Sequence, residues 1–120
     1  MRLASSALLL LLATPVFADE IRLLVQHSPL AGLRYYAAAD VAHELRVGDA
    51  LELARELDNP HDADAIAVSW RGRKLGYVPK RDNAALAWGL DRGAPLRARV
   101  SRLAREPRPA RRIEIEVYID

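Results

Sequence analysis

Cysteine is absent from this chain of 120 residues, and methionine and phenylalanine occur once each. Without cysteine there can be no disulfide bond, no thiolate metal site and no cysteine nucleophile. The three histidines, His27, His43 and His61, lie far apart without ligand-like spacing, so we expect no metal site. No phosphate-loop pattern is present, and no serine–histidine or paired-carboxylate spacing supports catalysis. We therefore expect a protein that is not an enzyme and uses neither ATP nor a cofactor.

A long apolar run occurs only at the N-terminus. Arg2 is followed by the apolar run Ala7–Ala13, then by the helix breaker Pro15 and the tripeptide that ends at Ala18. This order is typical of a secretory signal peptide, and the run is shorter than the roughly 20 apolar residues that span a bilayer. We predict a signal peptide over residues 1–18, a mature domain over residues 19–120, and a periplasmic or secreted protein without stable membrane insertion. A retained N-terminal anchor or a buried helix is the alternative interpretation.

Excess charge of one sign is also lacking. The net charge is +2, and removal of residues 1–18 removes one basic and no acidic residue, which leaves +1. A mature chain this close to neutrality gives no bulk electrostatic argument for nucleic acid, so any such binding would need a local basic patch. The length suits one small domain with a single core.

Short segments of alternating or β-branched apolar residues recur along the mature chain. They predict strands over residues 21–26, 33–37, 50–57, 65–70, 74–78, 96–103 and 112–120, and one helix over residues 81–93 that Asp82 or Asn83 could cap. Gly72 predicts a hairpin turn at residues 71–73, because glycine accepts a positive φ. We place Trp88 in the core, and in the last strand we place Ile119 inward and Tyr118 outward. In the segment 33–37, Tyr35 and Tyr36 are expected on opposite faces. The predicted fold is mainly β with one or two short helices, forming a small, partly open β-barrel of the OB type.

A polar loop, residues 58–64, separates two of these strands. Asp58 and Asn59 can hold a turn through backbone hydrogen bonds, and Pro60 fixes φ. Asp62 and Asp64 would then be presented from a rigid loop, where a carboxylate can accept a hydrogen bond from a ligand hydroxyl. The other interpretation is that these side chains satisfy only their own loop, and the residues by themselves favour it.

Three segments resemble the HIRAN domain family in order and spacing. They are RELDNPHDADAIAV at residues 55–68, GRKLGYVPK at residues 72–80 and GLRYY at residues 32–36. The resemblance implies an OB-like barrel that binds the 3′ end of single-stranded DNA. An exported module that keeps this fold but binds a protein or an envelope polymer is the alternative, with no protein partner identified.

The resemblance also implies a role for individual residues. Arg34 would contact a phosphate, Tyr35 and Tyr36 would line the terminal bases, and Asp62 would accept the free 3′ hydroxyl. The remaining implied nucleic-acid-binding residues are Asn59 and His61 in the same loop, Tyr77 beside it, and Lys80 and Arg81 after that strand. The chain departs from the family at residues 105–112, where prolines and arginines stand in place of an aromatic residue.

Overall fold

The computed structural model describes residues 23–104 and 113–120, except for the side chain of Arg34. The predicted signal peptide at residues 1–18 and the loop at residues 105–112 lie outside the described residues. Within the described part of the chain, no helix is both long enough and apolar enough to cross a membrane.

Among the described residues there are six strands, two short α-helices and two single-turn 3₁₀ helices. The strands are β1 (Leu23–Pro29), β2 (Ala50–Arg55), β3 (Ile66–Trp70), β4 (Arg73–Tyr77), β5 (Leu96–Leu103) and β6 (Ile113–Ile119). The α-helices are α1 (Ala38–Val41) and α2 (Ala84–Asp91), and the 3₁₀ helices are Leu33–Tyr35 and Lys80–Asp82. α2 precedes the last two strands, where the sequence predicted a helix.

The strands form one antiparallel sheet in the order β1-β6-β5-β2-β3-β4. β1 and β4 are the two edges, and one isolated bridge between Ala31 and Tyr77 joins them through N–H···O bonds of 2.9 Å in both directions. The sheet therefore curls into a barrel whose edges meet at a single bridge. This confirms the predicted mainly β, partly open barrel.

Glycine is required where the two edges meet. A Cβ atom on Gly76 would lie 2.3 Å from the carbonyl oxygen of Ala31, a distance that real side chains do not adopt. At the other end of β4, Arg71 and Gly72 both have positive φ, 50° and 79°, as a tight two-residue hairpin turn requires. The hairpin predicted from Gly72 is thus present.

A single apolar core fills the barrel. Its best-buried side chains come from alternate positions of the strands, including Ile66, Val68, Ile113, Ile115 and Val117, and α2 contributes Leu86. Burial of side chains of this size stabilises a domain by roughly 1.5–3 kcal/mol each. For a domain without a disulfide, this core is the main source of stability.

The strand predicted over residues 33–37 is wrong. Gly32 has φ 73°, so the chain turns after β1 and enters a 3₁₀ helix with a bond from Tyr35 N–H to Gly32 O of 3.0 Å. Local i→i+3 bonds replace a strand ladder there. In consequence Tyr35 and Tyr36 do not alternate between two faces, and both are exposed.

Three predicted side-chain positions are also wrong. Trp88 is 61% exposed, because its position on α2 points away from the core that Leu86 enters. In β6, Tyr118 is buried with the Arg99 guanidinium 5.1 Å from its ring centroid, whereas Ile119 at the strand end is exposed.

Candidate functional site: a cleft beside the edge bridge

A cleft of about 380 Å³ opens beside the bridge that joins β1 to β4. Its walls come from the first 3₁₀ helix, the loop between β2 and β3, and the end of β4. Seven of the nine residues predicted from the sequence line it: Tyr35, Tyr36, Asn59, His61, Asp62, Tyr77 and Lys80. Three segments that are separate in sequence therefore meet at one concave surface.

Tyrosines form one wall of the cleft. Tyr35 is 70% exposed and Tyr36 is 38% exposed, so both rings are accessible rather than part of the core. The Tyr36 and Tyr77 rings meet edge to face, with centroids 5.7 Å apart and planes at 71°. This arrangement is a favourable aromatic geometry and fixes the two rings relative to each other.

Lys74 lies at the centre of the contacts behind this wall. Its Nζ donates to Glu56 Oε2 at 2.6 Å and to Tyr77 Oη at 2.7 Å, and it lies 4.7 and 4.4 Å from the Tyr36 and Tyr77 ring centroids. Tyr77 Oη donates in turn to Glu56 Oε1 at 2.8 Å. A register shift between β3 and β4 explains how Lys74 and Tyr77, three residues apart on one strand, reach the same side. The Lys74 ammonium is thus engaged in contacts within the protein, and these contacts fix the orientation of Tyr36 and Tyr77.

The protonation states in this cluster are set by the same contacts. The hydrogen bond from Lys74 lowers the pKa of Glu56 despite partial burial, with further donors in Tyr77 and Asn59. Burial opposes the charge of Lys74, but its bonds to Glu56 and Tyr77 outweigh that effect and raise its pKa. Burial, together with bonds to Tyr36 and Glu56, raises the pKa of Tyr77 to about 12 although Lys74 opposes the shift. At neutral pH the cluster is a carboxylate, an ammonium and a neutral phenol.

The loop between β2 and β3 is held by its own side chains. Asn59 Oδ1 accepts the backbone N–H groups of His61 at 2.8 Å and of Asp62 at 3.1 Å, while its amide donates to Glu56 Oε1 at 3.0 Å. Asp62 Oδ1 accepts the N–H of Asp64 at 2.9 Å. Asn59 and Asp62 therefore stabilise the loop through hydrogen bonds, and they also line the cleft.

Asn83 is a site residue that the sequence did not reveal. The sequence allowed either Asp82 or Asn83 as the helix cap, but the Asn83 side chain makes no cap bond; its amide donates to Asp62 Oδ2 at 2.7 Å. Asn83 is 2% exposed, so this bond is shielded from water and fixes the carboxylate that faces the cleft. At the other end of α2, Arg55 donates to Asp91 Oδ1 at 2.9 Å and to the carbonyls of Ala63 and Ala65. α2 is consequently tied to the loop at both ends.

Two of the three basic residues predicted for the site, Lys80 and Arg81, differ in whether they line the cleft. Lys80 lines the cleft and donates to the His61 carbonyl at 3.3 Å. The Arg81 side chain is 78% exposed, lies 3.6 Å from Asp82 and does not line the cleft. The side chain of Arg34 lies outside the described atoms, so its predicted phosphate contact stays a prediction. Within residues 23–104 and 113–120, no group of three or more acidic or histidine side chains could hold a metal ion.

Comparison with known proteins agrees with this architecture. The model of the HIRAN domain family matches residues 23–120. The chain belongs to the HIRAN domain family. A crystal structure of a protein from Lactobacillus plantarum is similar with a TM-score of 0.72 and 28% identity, covering 82% of this chain and 95% of that one. The crystal structure of the HIRAN domain of human HLTF is similar with a TM-score of 0.65 and 23% identity, covering 82% of this chain and 78% of that one. No curated protein matches.

Family membership confirms the resemblance read from the three segments and supports a nucleic-acid-binding module. The roles predicted for single residues of this HIRAN domain are not tested by these similarities. The Glu56–Lys74 pair was not predicted, because the two residues are 18 positions apart: Glu56 directly follows β2, whereas Lys74 lies in β4. Their opposite charges were the only signal that the sequence offered for this pair.

Proposed function

We propose that this HIRAN domain is a binding module that holds the 3′ end of single-stranded DNA in the cleft. The observation that carries the proposal is the shared location of Tyr35, Tyr36 and Asp62, which line one cleft although Asp62 lies 26 positions after Tyr36 in the sequence. The cleft thus combines aromatic faces with a carboxylate.

Aromatic stacking would supply affinity. A base stacked on an aromatic side chain contributes roughly 1–3 kcal/mol, and any base can stack. Tyr35 is accessible at the rim, and Tyr36 is braced by Tyr77 and by the ammonium of Lys74. A braced ring loses little side-chain entropy when a base docks, so more of the contact energy is kept as affinity.

Asp62 would distinguish an end from an internal nucleotide. Each of its oxygens receives one hydrogen bond, from Asp64 N–H and from Asn83, and a carboxylate can accept about four in all. It can therefore accept a free 3′ hydroxyl, whereas it repels the phosphate that an internal nucleotide carries there. Lys80, which also lines the cleft, would contact the backbone phosphate and make binding weaken with salt.

Fluorescence anisotropy with oligonucleotides that end in a 3′ hydroxyl or a 3′ phosphate tests the proposal. A hydrogen bond to a charged group contributes about 1.5–3 kcal/mol, so we expect roughly 10- to 100-fold tighter binding of the hydroxyl end. Asp62→Asn should reduce this preference to about threefold or less, because the charge is lost while the side-chain size is kept.

Asn83→Ala is the matched control, since it removes one hydrogen bond that Asp62 accepts but keeps the carboxylate. Asn83→Ala should raise the Kd of both oligonucleotides by a similar factor, so the preference for the hydroxyl end should remain. Equal binding of both ends by the natural domain, or no binding at all, would refute end recognition. Export of the domain stays a prediction from residues 1–18, which N-terminal sequencing of the protein from its host would check.

A further inference from the structure

We propose that the outward face of the second 3₁₀ helix and α2 contacts the internal nucleotides of a strand whose 3′ end lies in the cleft. We call this surface the helix face, and it consists of Arg81, Ala84, Ala85, Trp88 and Arg92. The inference rests on the proposed function, because it extends the same strand beyond the cleft.

The helix face is a continuous surface. Ala84 and Ala85 lie three and four residues after Arg81, and Trp88 lies four and three residues after these alanines. Arg92 follows Trp88 by four residues, so the five side chains share one side of the helical segment. All five are exposed, whereas Asn83, Leu86 and Ala87 on the opposite side are buried. The two alanines leave shallow space between the arginine at one end and the tryptophan at the other.

Trp88 gives this surface its affinity for bases. It is 61% exposed, although a large apolar ring is on average highly buried in proteins. The guanidinium of Arg92 lies 3.8 Å from its ring centroid, which holds the ring in place and sets a positive charge beside it. An exposed aromatic ring beside arginine is the combination that binds single-stranded nucleic acid without sequence preference.

The charges on and near α2 favour a polyanion. Asp82 lies 3.6 Å from Arg81, and Asp91 accepts two bonds from Arg55, at 2.9 and 3.3 Å, so both nearby carboxylates are paired. Arg92 makes no ion pair with any carboxylate in the described part of the chain. Since Arg81 is paired with Asp82, the uncompensated positive charge of the helix face is that of Arg92, next to the Trp88 ring.

The helix face adjoins the cleft. Lys80 lines the cleft and is also the first residue of the second 3₁₀ helix, and Asn83 at the start of α2 bonds to Asp62. At about 1.5–2 Å per residue, Trp88 lies roughly 12–16 Å along the helix from Lys80. A few nucleotides cover that distance, since one strand of a duplex rises about 3.4 Å per nucleotide.

Binding to the helix face can be distinguished from binding to the cleft by varying the length of the oligonucleotide. We would measure the Kd of the natural domain and of Trp88→Ala for a dinucleotide and for a ten-nucleotide single strand, both with free 3′ hydroxyls. Trp88→Ala should raise the Kd of the ten-nucleotide strand roughly 5- to 10-fold, the lower range for one stacked base, and that of the dinucleotide less than twofold. Trp88→Phe keeps an aromatic ring and should restore most of the affinity.

Arg92→Gln tests the charge, and Arg71→Gln is its matched control. Arg71 also lies over a tryptophan, 4.5 Å from the Trp70 ring centroid, but at the β3–β4 turn. Arg92→Gln should lower the slope of log Kd against log salt for the longer strand by about one, and Arg71→Gln should leave it unchanged.

The outcomes distinguish this inference from the proposed function. If the longer strand binds and Trp88→Ala changes neither Kd, or changes both equally, the helix face is refuted while end binding stands. If the natural domain binds neither oligonucleotide, both proposals fail. A sedimentation coefficient that falls in Trp88→Ala without DNA would instead assign Trp88 to self-association and overturn the inference.

Discussion

Replacement of Lys74 by methionine tests whether the cluster behind the tyrosine wall stabilises both the fold and the cleft. Methionine keeps most of the length of the side chain and removes the ammonium. Glu56 would then keep only Tyr77 and Asn59 as donors. A partly buried carboxylate would be left without its counter-charge.

The expected loss of stability depends on how far the Lys74–Glu56 pair is shielded from water. The Lys74 and Glu56 side chains are 31% and 27% exposed. Loss of one partner of a fully buried pair costs about 3–5 kcal/mol, and an exposed pair contributes about 0.2–1 kcal/mol. For this intermediate pair we expect about 2 kcal/mol, or a fall in Tm of roughly 10 °C for a domain of this size.

Urea denaturation gives the free energy of unfolding for the natural domain, Lys74→Met, Glu56→Gln and the double variant. The double variant should be more stable than the sum of the single losses implies, since neither charge is then left alone. The destabilisation by Lys74→Met should also shrink as pH falls below about 4.5. The reason is that Lys74 lowers the folded-state pKa of Glu56 below its unfolded value of 4.5, and this contribution exists only while Glu56 is ionised.

Arg102→Met provides the comparison, because Arg102 is 69% exposed and lies 3.9 Å from Glu114. It should cost no more than about 0.5 kcal/mol. A loss below about 0.5 kcal/mol in Lys74→Met, with no coupling to Glu56→Gln, would show that the cluster is only a surface ion pair and would remove its assigned role in bracing the tyrosines.

Two further predictions concern the barrel edges and alkaline pH. Gly76→Ala should destabilise the domain by about 1–3 kcal/mol, because its Cβ would meet the Ala31 carbonyl at 2.3 Å; thermal unfolding measures this, and an unchanged Tm would contradict the close approach. Stability should fall as pH rises from 10 to about 12, because the pKa of Tyr77 is 10 in the unfolded chain and about 12 in the fold, so folding favours the neutral phenol. A flat profile of urea midpoints across that range would contradict the raised pKa of this partly buried hydroxyl.

Much of the architecture was predictable because it depends on short-range patterns. The alternation of Ile113, Ile115 and Val117 predicted β6, and the β5 bounds agree with the predicted 96–103. Gly72 predicted the hairpin, since few other residues accept its φ of 79°. The segment at residues 33–37 was misassigned because tyrosine favours strands in isolation, whereas the turn at Gly32 redirects the chain.

The sequence by itself determined the mainly β class, the polar loop, the family and seven of the residues that line the cleft. Only the tertiary structure decided three further features. Tyr35 and Tyr36 both line the cleft, Asn83 donates its side-chain hydrogen bond to Asp62 instead of capping the helix, and Trp88 is exposed to water. The physical reason is that periodicity reports which face of an element is apolar, while the partner of a polar side chain depends on which distant segments fold against it. In this HIRAN domain the single bridge between Ala31 and Tyr77 brings those segments together.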